Sequence, residues 1–164
     1  AGAWRYLIGD TVRFVDKEKC EIIITGRTKH FLSLVGEHLS VDNMNKAIQL
    51  ASEQLNICIP EFTVAGVPYD SFFAHHWYVA CNDQVDKKRL IQLIDDKLKE
   101  LNDDYAVERK SALKEVFLDV LSEEQFMEFM RSKGKVGGQH KFPRVLKGKM
   151  LEDWQLFLKK ELVS

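Results

Sequence analysis

The chain has 164 residues, of which 45% are hydrophobic and 30% are charged, a length and composition typical of one globular domain. Its 24 Lys and Arg against 25 Asp and Glu give a net charge of −1, which excludes a protein that binds polyanions over its whole surface. The sequence contains no run of about 18 apolar residues, so it predicts no membrane-spanning helix. No stretch resembles a signal peptide. Three scattered cysteines without C-x-x-C spacing indicate reduced thiols in a cytoplasmic protein, and they favour neither a disulfide framework nor a zinc site.

One segment departs from this charge balance. Residues 131–149 contain seven basic residues and no acidic one, so the rest of the chain carries a net charge of −8. Four of the nine glycines also lie in this segment. We therefore expect a mobile, basic segment attached to an acidic body.

The chain begins with a predicted hairpin. Two β-rich runs, residues 11–15 and 21–25, flank a polar turn. Gly26 and a polar junction at residues 27–30 then lead to an apolar run at residues 31–35. Two hairpin strands followed by a polar junction provide little structure with which to begin a domain. We therefore expect these first residues to be part of a larger structure.

Helices and strands alternate in the rest of the chain. Ser40 precedes apolar residues that recur every three or four positions, Asn82 and Asp83 are candidate caps of the second helix, and Ser122 with Gln125 forms a capping-box pattern. We predict helices or strands, in chain order, at residues 41–55 (helix), 61–67 and 75–81 (strands), 85–101 (helix), 113–121 (strand), 122–134 (short helix) and 151–162 (helix). This order predicts an α+β fold, a small sheet covered by helices, preceded by a β-hairpin.

Two clusters near the N-terminus contain candidate functional residues. In the sequence YLIGD at residues 6–10, Asp10 can accept two hydrogen bonds from a vicinal diol such as a ribose, although Gly-Asp alone more often forms a turn. The junction from Gly26 to Lys29, with strands on both sides, can act as a hinge, and the alternative is an ordinary loop.

The third cluster is the basic, glycine-rich segment. Gly137 and Gly138 allow the backbone to approach a ligand, and a proline stiffens the loop that follows. Lys141 and Arg144 can neutralise phosphate. The alternative is a solvated basic loop, but like charges without one acid repel each other, which favours a functional role.

Together the three clusters resemble one enzyme family. The order Tyr-x-x-Gly-Asp, then Gly-Arg-x-Lys, then Gly-Glu before a helix resembles the end of an adenylate-forming enzyme. Residues 26–40, GRTKHFLSLVGEHLS, and residues 139–144, QHKFPR, look like the Gretchen Hagen three family of acyl acid amido synthetases, first known as auxin-responsive proteins. The resemblance covers nearly the whole chain but only the last third of such an enzyme.

The resemblance implies a ligase that works in two steps. ATP, with Mg2+, and a carboxylic acid would give an acyl-adenylate and pyrophosphate, and an amine, usually of an amino acid, would displace AMP to form an amide. A large N-terminal domain would hold most of the pocket, and a small C-terminal domain would close over it as a lid. On this interpretation residues 1–28 are a terminal hairpin of that N-terminal domain, residues 29–164 are the lid domain, and the 164-residue piece alone is inactive.

The resemblance also implies roles for single residues. Asp10 would hold the ribose hydroxyls, Tyr6 would pack beside the nucleotide, and Arg27 would lie near the ribose or the α-phosphate, with Arg144 as a further nucleotide-binding residue. Lys29 falls at the hinge position. No residue is predicted to bind a metal.

Lys141 is the predicted catalytic residue. In Gln-x-Lys-x-Pro-Arg it would stabilise the charge on the α-phosphate and the departing pyrophosphate. The wider superfamily places its catalytic lysine in Pro-x-x-x-x-Gly-Lys, and the sequence from Pro143 to Lys149 also fits that pattern. The closer resemblance favours Lys141, with Lys149 as the alternative.

Four other polar residues are predicted to have structural roles and no catalytic or binding role. His75 and His76 follow each other in a predicted strand, so their rings face opposite ways and cannot share a metal. Asp95 and Asp96 are expected on the solvated face of a helix. The alternative functions are a nucleic-acid-binding module that uses the basic segment and a non-catalytic interaction domain, but the preferred interpretation involves neither nucleic acid nor a membrane.

Overall fold

The computed structural model describes residues 10–27, 31–32, 38–134 and 141–161. Each helix within these ranges is too short or too polar to span a lipid bilayer. The elements are, in chain order, β1 (Asp10–Asp16), β2 (Glu21–Arg27), β3 (Phe31–Leu32), β4 (Leu39–Ser40), α1 (Val41–Leu55), β5 (Phe62–Tyr69), β6 (Phe72–Ala80), α2 (Lys87–Leu101), α3 (Asp103–Glu108), β7 (Leu113–Leu121), α4 (Glu123–Ser132), β8 (Val145–Leu146) and α5 (Lys149–Glu161).

The predicted hairpin is confirmed. Strands β1 and β2 pair antiparallel, with Val12 opposite Ile24 and Phe14 opposite Ile22. At the turn, a carboxylate oxygen of Asp16 accepts hydrogen bonds from two backbone N–H groups at 2.9 and 3.1 Å. Asp side chains favour turns in this way, which explains why the polar run between the strands marks the reversal of the chain.

The central element is a four-stranded mixed sheet with the strand order β7-β6-β5-β8. The two middle strands are antiparallel, and each outer strand is parallel to its neighbour. The connection from β6 to β7 passes through α2 and α3, the kind of crossover that parallel neighbours require. Strands β3 and β4 form a separate two-residue ladder.

Helices cover both faces of this sheet, which confirms the predicted α+β fold of a small sheet covered by helices. Helices α1, α2 and α3 pack on one face over a core that includes Trp77 and Val64. Helices α4 and α5 pack on the other face around Trp154, together with Tyr78. Residues next to each other in one strand belong to different cores because strand side chains alternate between faces.

Helix starts were predictable where the cap is local. Ser40 caps α1 and Ser122 caps α4, and each forms a capping box with the residue three positions later. The prediction for α2 was wrong, because Asp86 is its N-cap and binds two backbone N–H groups. The carboxylate of Asp83 instead accepts the backbone N–H of Cys58 at 2.8 Å.

Asp95 is buried, so its predicted position on the solvated face was also wrong. The carboxylate accepts hydrogen bonds from the hydroxyl of Tyr105 at 2.6 Å and from the guanidinium of Arg109 at 2.8 and 3.1 Å. Lys99 adds an ion pair at 2.7 Å. Burial favours the neutral carboxyl, but these hydrogen bonds outweigh it and hold the pKa of Asp95 below its ordinary value.

Candidate functional site

Residues 141–146 lie against the edge of the sheet. The hydroxyl of Thr63 donates to the carbonyl of Pro143 at 2.7 Å, and the backbone N–H of Val64 donates to the carbonyl of Arg144 at 3.0 Å. Strand β8 then continues parallel to β5. This described part of the basic segment is therefore folded onto the domain, in contrast to the expected mobile segment.

An aromatic side chain explains why this part of the segment is ordered. Phe142 is 4% exposed, and its ring centroid lies 4.9 Å from Phe126, 5.1 Å from Trp154 and 5.8 Å from Phe129. Burying one Phe side chain stabilises a structure by roughly 1.5–3 kcal/mol. The residue directly before Phe142 is Lys141, so this buried ring fixes the chain next to the predicted catalytic lysine.

The structure divides the described basic residues of the segment into two groups. Three of them pair with acids: Arg131 with Glu124, Lys133 with Asp153, and Arg144 with Glu61. The exposed side chains of the segment's later part, with no ion-pair partner in the described ranges, are Lys141, Lys147 and Lys149. Lys135 lies outside the described residues. Among the described residues of the segment, the positive charge available to a ligand is thus smaller than the sequence suggests, and it is concentrated at residues 141–149.

Arg144 acts as an anchor of this segment. Its guanidinium pairs with the carboxylate of Glu61, donates to the carbonyl of Phe62 at 2.9 Å and lies 4.3 Å from the centroid of the Phe62 ring. A guanidinium over an aromatic face adds a cation–π attraction. These contacts hold the segment on β5, and the predicted contact with nucleotide stays a prediction.

Lys149 occupies a different kind of position. It is the first residue of α5 and follows Gly148, whose φ of +55° lies in the left-handed region. The carbonyl of Gly148 accepts the backbone N–H groups of Leu151 and Glu152 at 3.0 and 3.2 Å. Lys149 is therefore placed by a helix start, whereas Lys141 is placed by the sheet edge.

An open cleft of about 670 Å3 lies beside the anchor. It is bounded by α1, by the chain from Asn56 to Pro60 and by Arg144. Neither Lys141 nor Lys149 lines it. The cleft is therefore not the place where the two candidate catalytic lysines could meet one ligand.

The hairpin brings two other predicted site residues together. Asp10 and Arg27 are direct backbone partners at the open end of β1 and β2. Tyr6 and Lys29 lie outside the described residues. Asp10 and Arg27 were predicted to act on the same nucleotide, and their pairing places them on adjacent strands.

The two consecutive histidines face opposite sides of the sheet, as predicted. His75 is buried beside the ring of Tyr105 at 5.7 Å. The Nε2 of His76 lies 2.9 Å from the carboxylate of Asp119, and this hydrogen bond lowers the pKa of that carboxyl. Within the described ranges, no group of three or more His, Cys, Asp or Glu could hold a metal ion.

Two residues that hold the segment were not predicted. Thr63 and Glu61 lie about 80 positions before the residues that they bind. Thr63 is fully buried within an otherwise apolar strand, and a buried hydroxyl requires a hydrogen-bond partner. That single polar position in the strand was the available signal, but it does not name the partner.

Comparison with known proteins gives the family. The family model described as the GH3 family C-terminal domain matches residues 42–149. The chain belongs to the GH3 family. This confirms the family that the sequence motifs resemble, and the match includes the segment that carries Lys141. No curated protein sequence matches the chain.

Solved structures with the same fold come from this family. One, GH3.15 acyl acid amido synthetase, superposes with a TM-score of 0.73 at 20% identity, covering 94% of this chain and 31% of that one. Another, AtGH3.15 acyl acid amido synthetase in complex with 2,4-DB, gives a TM-score of 0.75 at 20% identity, covering 94% and 30%. The GH3 chain described here therefore has their fold over about a third of their length.

Proposed function

We propose that this chain is the C-terminal domain of an ATP-dependent acyl acid amido synthetase. A carboxylate oxygen of the acid attacks the α-phosphorus of ATP, and the bond from phosphorus to the pyrophosphate oxygen breaks. The nitrogen of an amine or amino acid then attacks the acyl carbon. The carbon–oxygen bond to AMP breaks, AMP leaves with the electron pair, and the nitrogen loses a proton.

The observation that carries this proposal is the placement of Lys141. It is an exposed cation on a segment that Phe142 and Arg144 fix to the sheet. The first step brings a carboxylate towards a polyphosphate, so its transition state gathers negative charge. A cation held in place at that charge lowers the barrier. Lys149 is the alternative catalytic residue. It begins α5, so its side chain extends from a different position in the fold.

The nucleotide contacts are proposed from the family motifs. Asp10 would hold the ribose hydroxyls, Tyr6 would pack beside the nucleotide, and Arg27 would reach the ribose or α-phosphate. The pairing of Asp10 with Arg27 supports a shared ligand. Arg144 would have to leave Glu61 to bind phosphate, so its contacts favour an anchoring role.

In this proposal, Mg2+ would bind together with ATP, through the phosphates of the nucleotide. The described residues include no cluster of carboxylates, histidines or cysteines that fits a metal ion, so none of them is assigned to it. Magnesium commonly binds through substrate phosphates with few protein ligands. The proposed substrates are a small carboxylic acid and an amine or amino acid, in a cytoplasmic enzyme.

We propose that residues 1–28 are the end of an N-terminal domain and that residues 29–164 form the lid. One face of the hairpin supports this division, because Val12, Phe14, Ile22 and Ile24 lie on it and are 48%, 54%, 50% and 69% exposed. An isolated two-stranded hairpin is at best marginally stable in water. The N-terminal domain of the same polypeptide is the proposed cover, and the family match begins only at residue 42.

The 164-residue chain is expected to fold without catalysing adenylation. In an acid-dependent ATP–pyrophosphate exchange assay, the full-length enzyme should exchange label while this chain alone should give only the background rate. A circular dichroism spectrum of the chain provides the control for folding. Exchange by the chain alone would contradict the division into two domains, and no exchange by the folded full-length enzyme would contradict the proposed activity.

Lys29→Pro in the full-length enzyme should affect the two half-reactions unequally. Proline fixes φ near −65°, so it would restrict rotation at the proposed hinge between residues 27 and 30. If the lid must turn between adenylation and amide formation, one of the two steps should slow far more than the other, because hinge residues take up the backbone rotation of such a movement. Equal losses in separate assays of both steps would indicate misfolding and contradict a hinge.

A further inference from the structure

One buried hydroxyl binds the backbone two residues after Lys141. Thr63 is fully buried in β5, and its hydroxyl donates to the carbonyl of Pro143 at 2.7 Å. Pro143 lies two residues after Lys141 and has no N–H of its own to donate. Its carbonyl is therefore its backbone hydrogen-bonding group, and Thr63 satisfies it.

The neighbouring contacts show what Thr63 adds. The carbonyl of Arg144 binds the backbone N–H of Val64, and β8 begins at the next residue, so the ladder with β5 fixes the chain from that point onward. Before it, the ring of Phe142 provides apolar packing, which resists lifting of the segment but is not directional. The bond from Thr63 is directional and lies between these two anchors.

We infer that Thr63 is a positioning residue for Lys141, an inference that rests on the proposed role of Lys141 in adenylation. The hydroxyl sets the orientation of the peptide plane after Pro143. It thereby limits where the side chain of Lys141, two residues earlier, can project. A catalytic group displaced by about 1 Å can lose roughly a hundredfold in rate. Thr63 thus acts on the reaction through the backbone of the segment, without contacting the substrates.

The test uses the full-length enzyme and two substitutions at one position. Thr63→Val keeps the shape and the strand preference of threonine but removes the donor, and Thr63→Ser keeps the hydroxyl. We expect Thr63→Val to lower kcat for adenylation by roughly ten- to a hundredfold, with the KM for ATP unchanged within about twofold, because a transition-state contact is lost. Thr63→Ser should restore most of the rate, and amide formation from a supplied acyl-adenylate should be spared.

A double-mutant cycle separates positioning from general damage. In a Lys141→Ala background, Thr63→Val should cause no further loss, because the residue that it positions is absent. Ser52→Ala is the matched control, since it removes another hydroxyl-to-carbonyl bond, to Ile48 at 2.8 Å, in α1 and outside residues 131–149. This control should leave adenylation unchanged.

Several outcomes would overturn the inference. These are wild-type adenylation in Thr63→Val, failure of Thr63→Ser to restore the rate, or the same fractional loss with and without Lys141. If Lys141→Ala alone leaves adenylation intact, the role proposed for Lys141 fails first, and the inference about Thr63 fails with it. If melting curves show that Thr63→Val does not fold, Thr63→Cys, with its weak donor, replaces it in the same cycle.

Discussion

Lys141→Ala in the full-length enzyme is expected to slow formation of the acyl-adenylate by about 10²–10³, the scale for loss of one positioned electrostatic stabiliser. The side chain is exposed and has no ion-pair partner in the described ranges. Its segment, residues 131–149, contains no acidic residue. Its charge is therefore available to the phosphates. Acid-dependent ATP–pyrophosphate exchange measures this step directly.

The second half-reaction should be far less affected by the same substitution. Once the acyl-adenylate has formed, the charge that Lys141 stabilises has left with pyrophosphate, and the lid is proposed to have moved. Amide formation from a supplied acyl-adenylate should stay within about threefold of wild type, well below the loss for a transition-state contact. The melting temperature should hardly change, because an exposed lysine contributes little to stability.

Lys149→Ala is the internal control for this assignment. Both lysines are exposed and both follow glycine-containing sequence, but Lys149 starts α5 whereas Lys141 precedes the buried Phe142. If Lys149→Ala abolishes adenylation and Lys141→Ala does not, the wider superfamily pattern identifies the catalytic lysine. If neither substitution slows adenylation, the segment from residue 141 to 149 is not a catalytic loop.

The sequence predicted local features of the fold well. The caps at Ser40 and Ser122 depend on residues three positions away, and the alternation of His75 and His76 follows from strand geometry alone. The sheet and its covering helices follow from the spacing of apolar residues. Such features depend on near neighbours in the chain, which a sequence displays directly.

Contacts between distant residues account for what was missed. The run of like charges in the basic segment predicted a mobile loop, because a sequence shows the charges but not their partners. Glu61, which pairs with Arg144, lies 83 positions earlier in the chain. Asp83 has the side chain of a helix cap but binds Cys58 across 25 positions. The candidate site shows the same limit, because motifs identified Lys141 but could not reveal that Thr63 holds its segment.

Asp95→Ala is expected to destabilise the 164-residue chain by about 3–5 kcal/mol, the usual effect of removing one partner of a buried ion pair. The carboxylate connects α2 with Tyr105 in α3 and with Arg109 just after it. Without it, the partly buried guanidinium of Arg109 would lose its counter-ion, although it still reaches the carbonyl of Leu113. Urea denaturation followed by circular dichroism gives the free energy of unfolding.

Asp96→Ala is the matched control, because its side chain is 46% exposed whereas that of Asp95 is 8% exposed. It forms an ion pair with the same Lys99, at 3.5 Å. Exposed pairs of this kind contribute about 0–1 kcal/mol, so this variant should unfold at nearly the wild-type urea concentration. Equal effects of the two substitutions would contradict the buried network and restore the solvated face expected from sequence.

The difference between wild type and Asp95→Ala should also depend on pH. Because hydrogen bonds from Arg109, Lys99 and Tyr105 outweigh burial and hold the pKa of Asp95 below its ordinary value, the ionised carboxylate stabilises the folded chain. That contribution is fully present above the unfolded pKa of about 3.9 and is lost as the pH falls through the lower folded pKa. Unfolding curves at pH 7 should therefore differ most between the two proteins, and the difference should shrink below about pH 4. A difference that grew on acidification would mean that the neutral acid is the form that the folded chain prefers, with burial dominating over the hydrogen bonds.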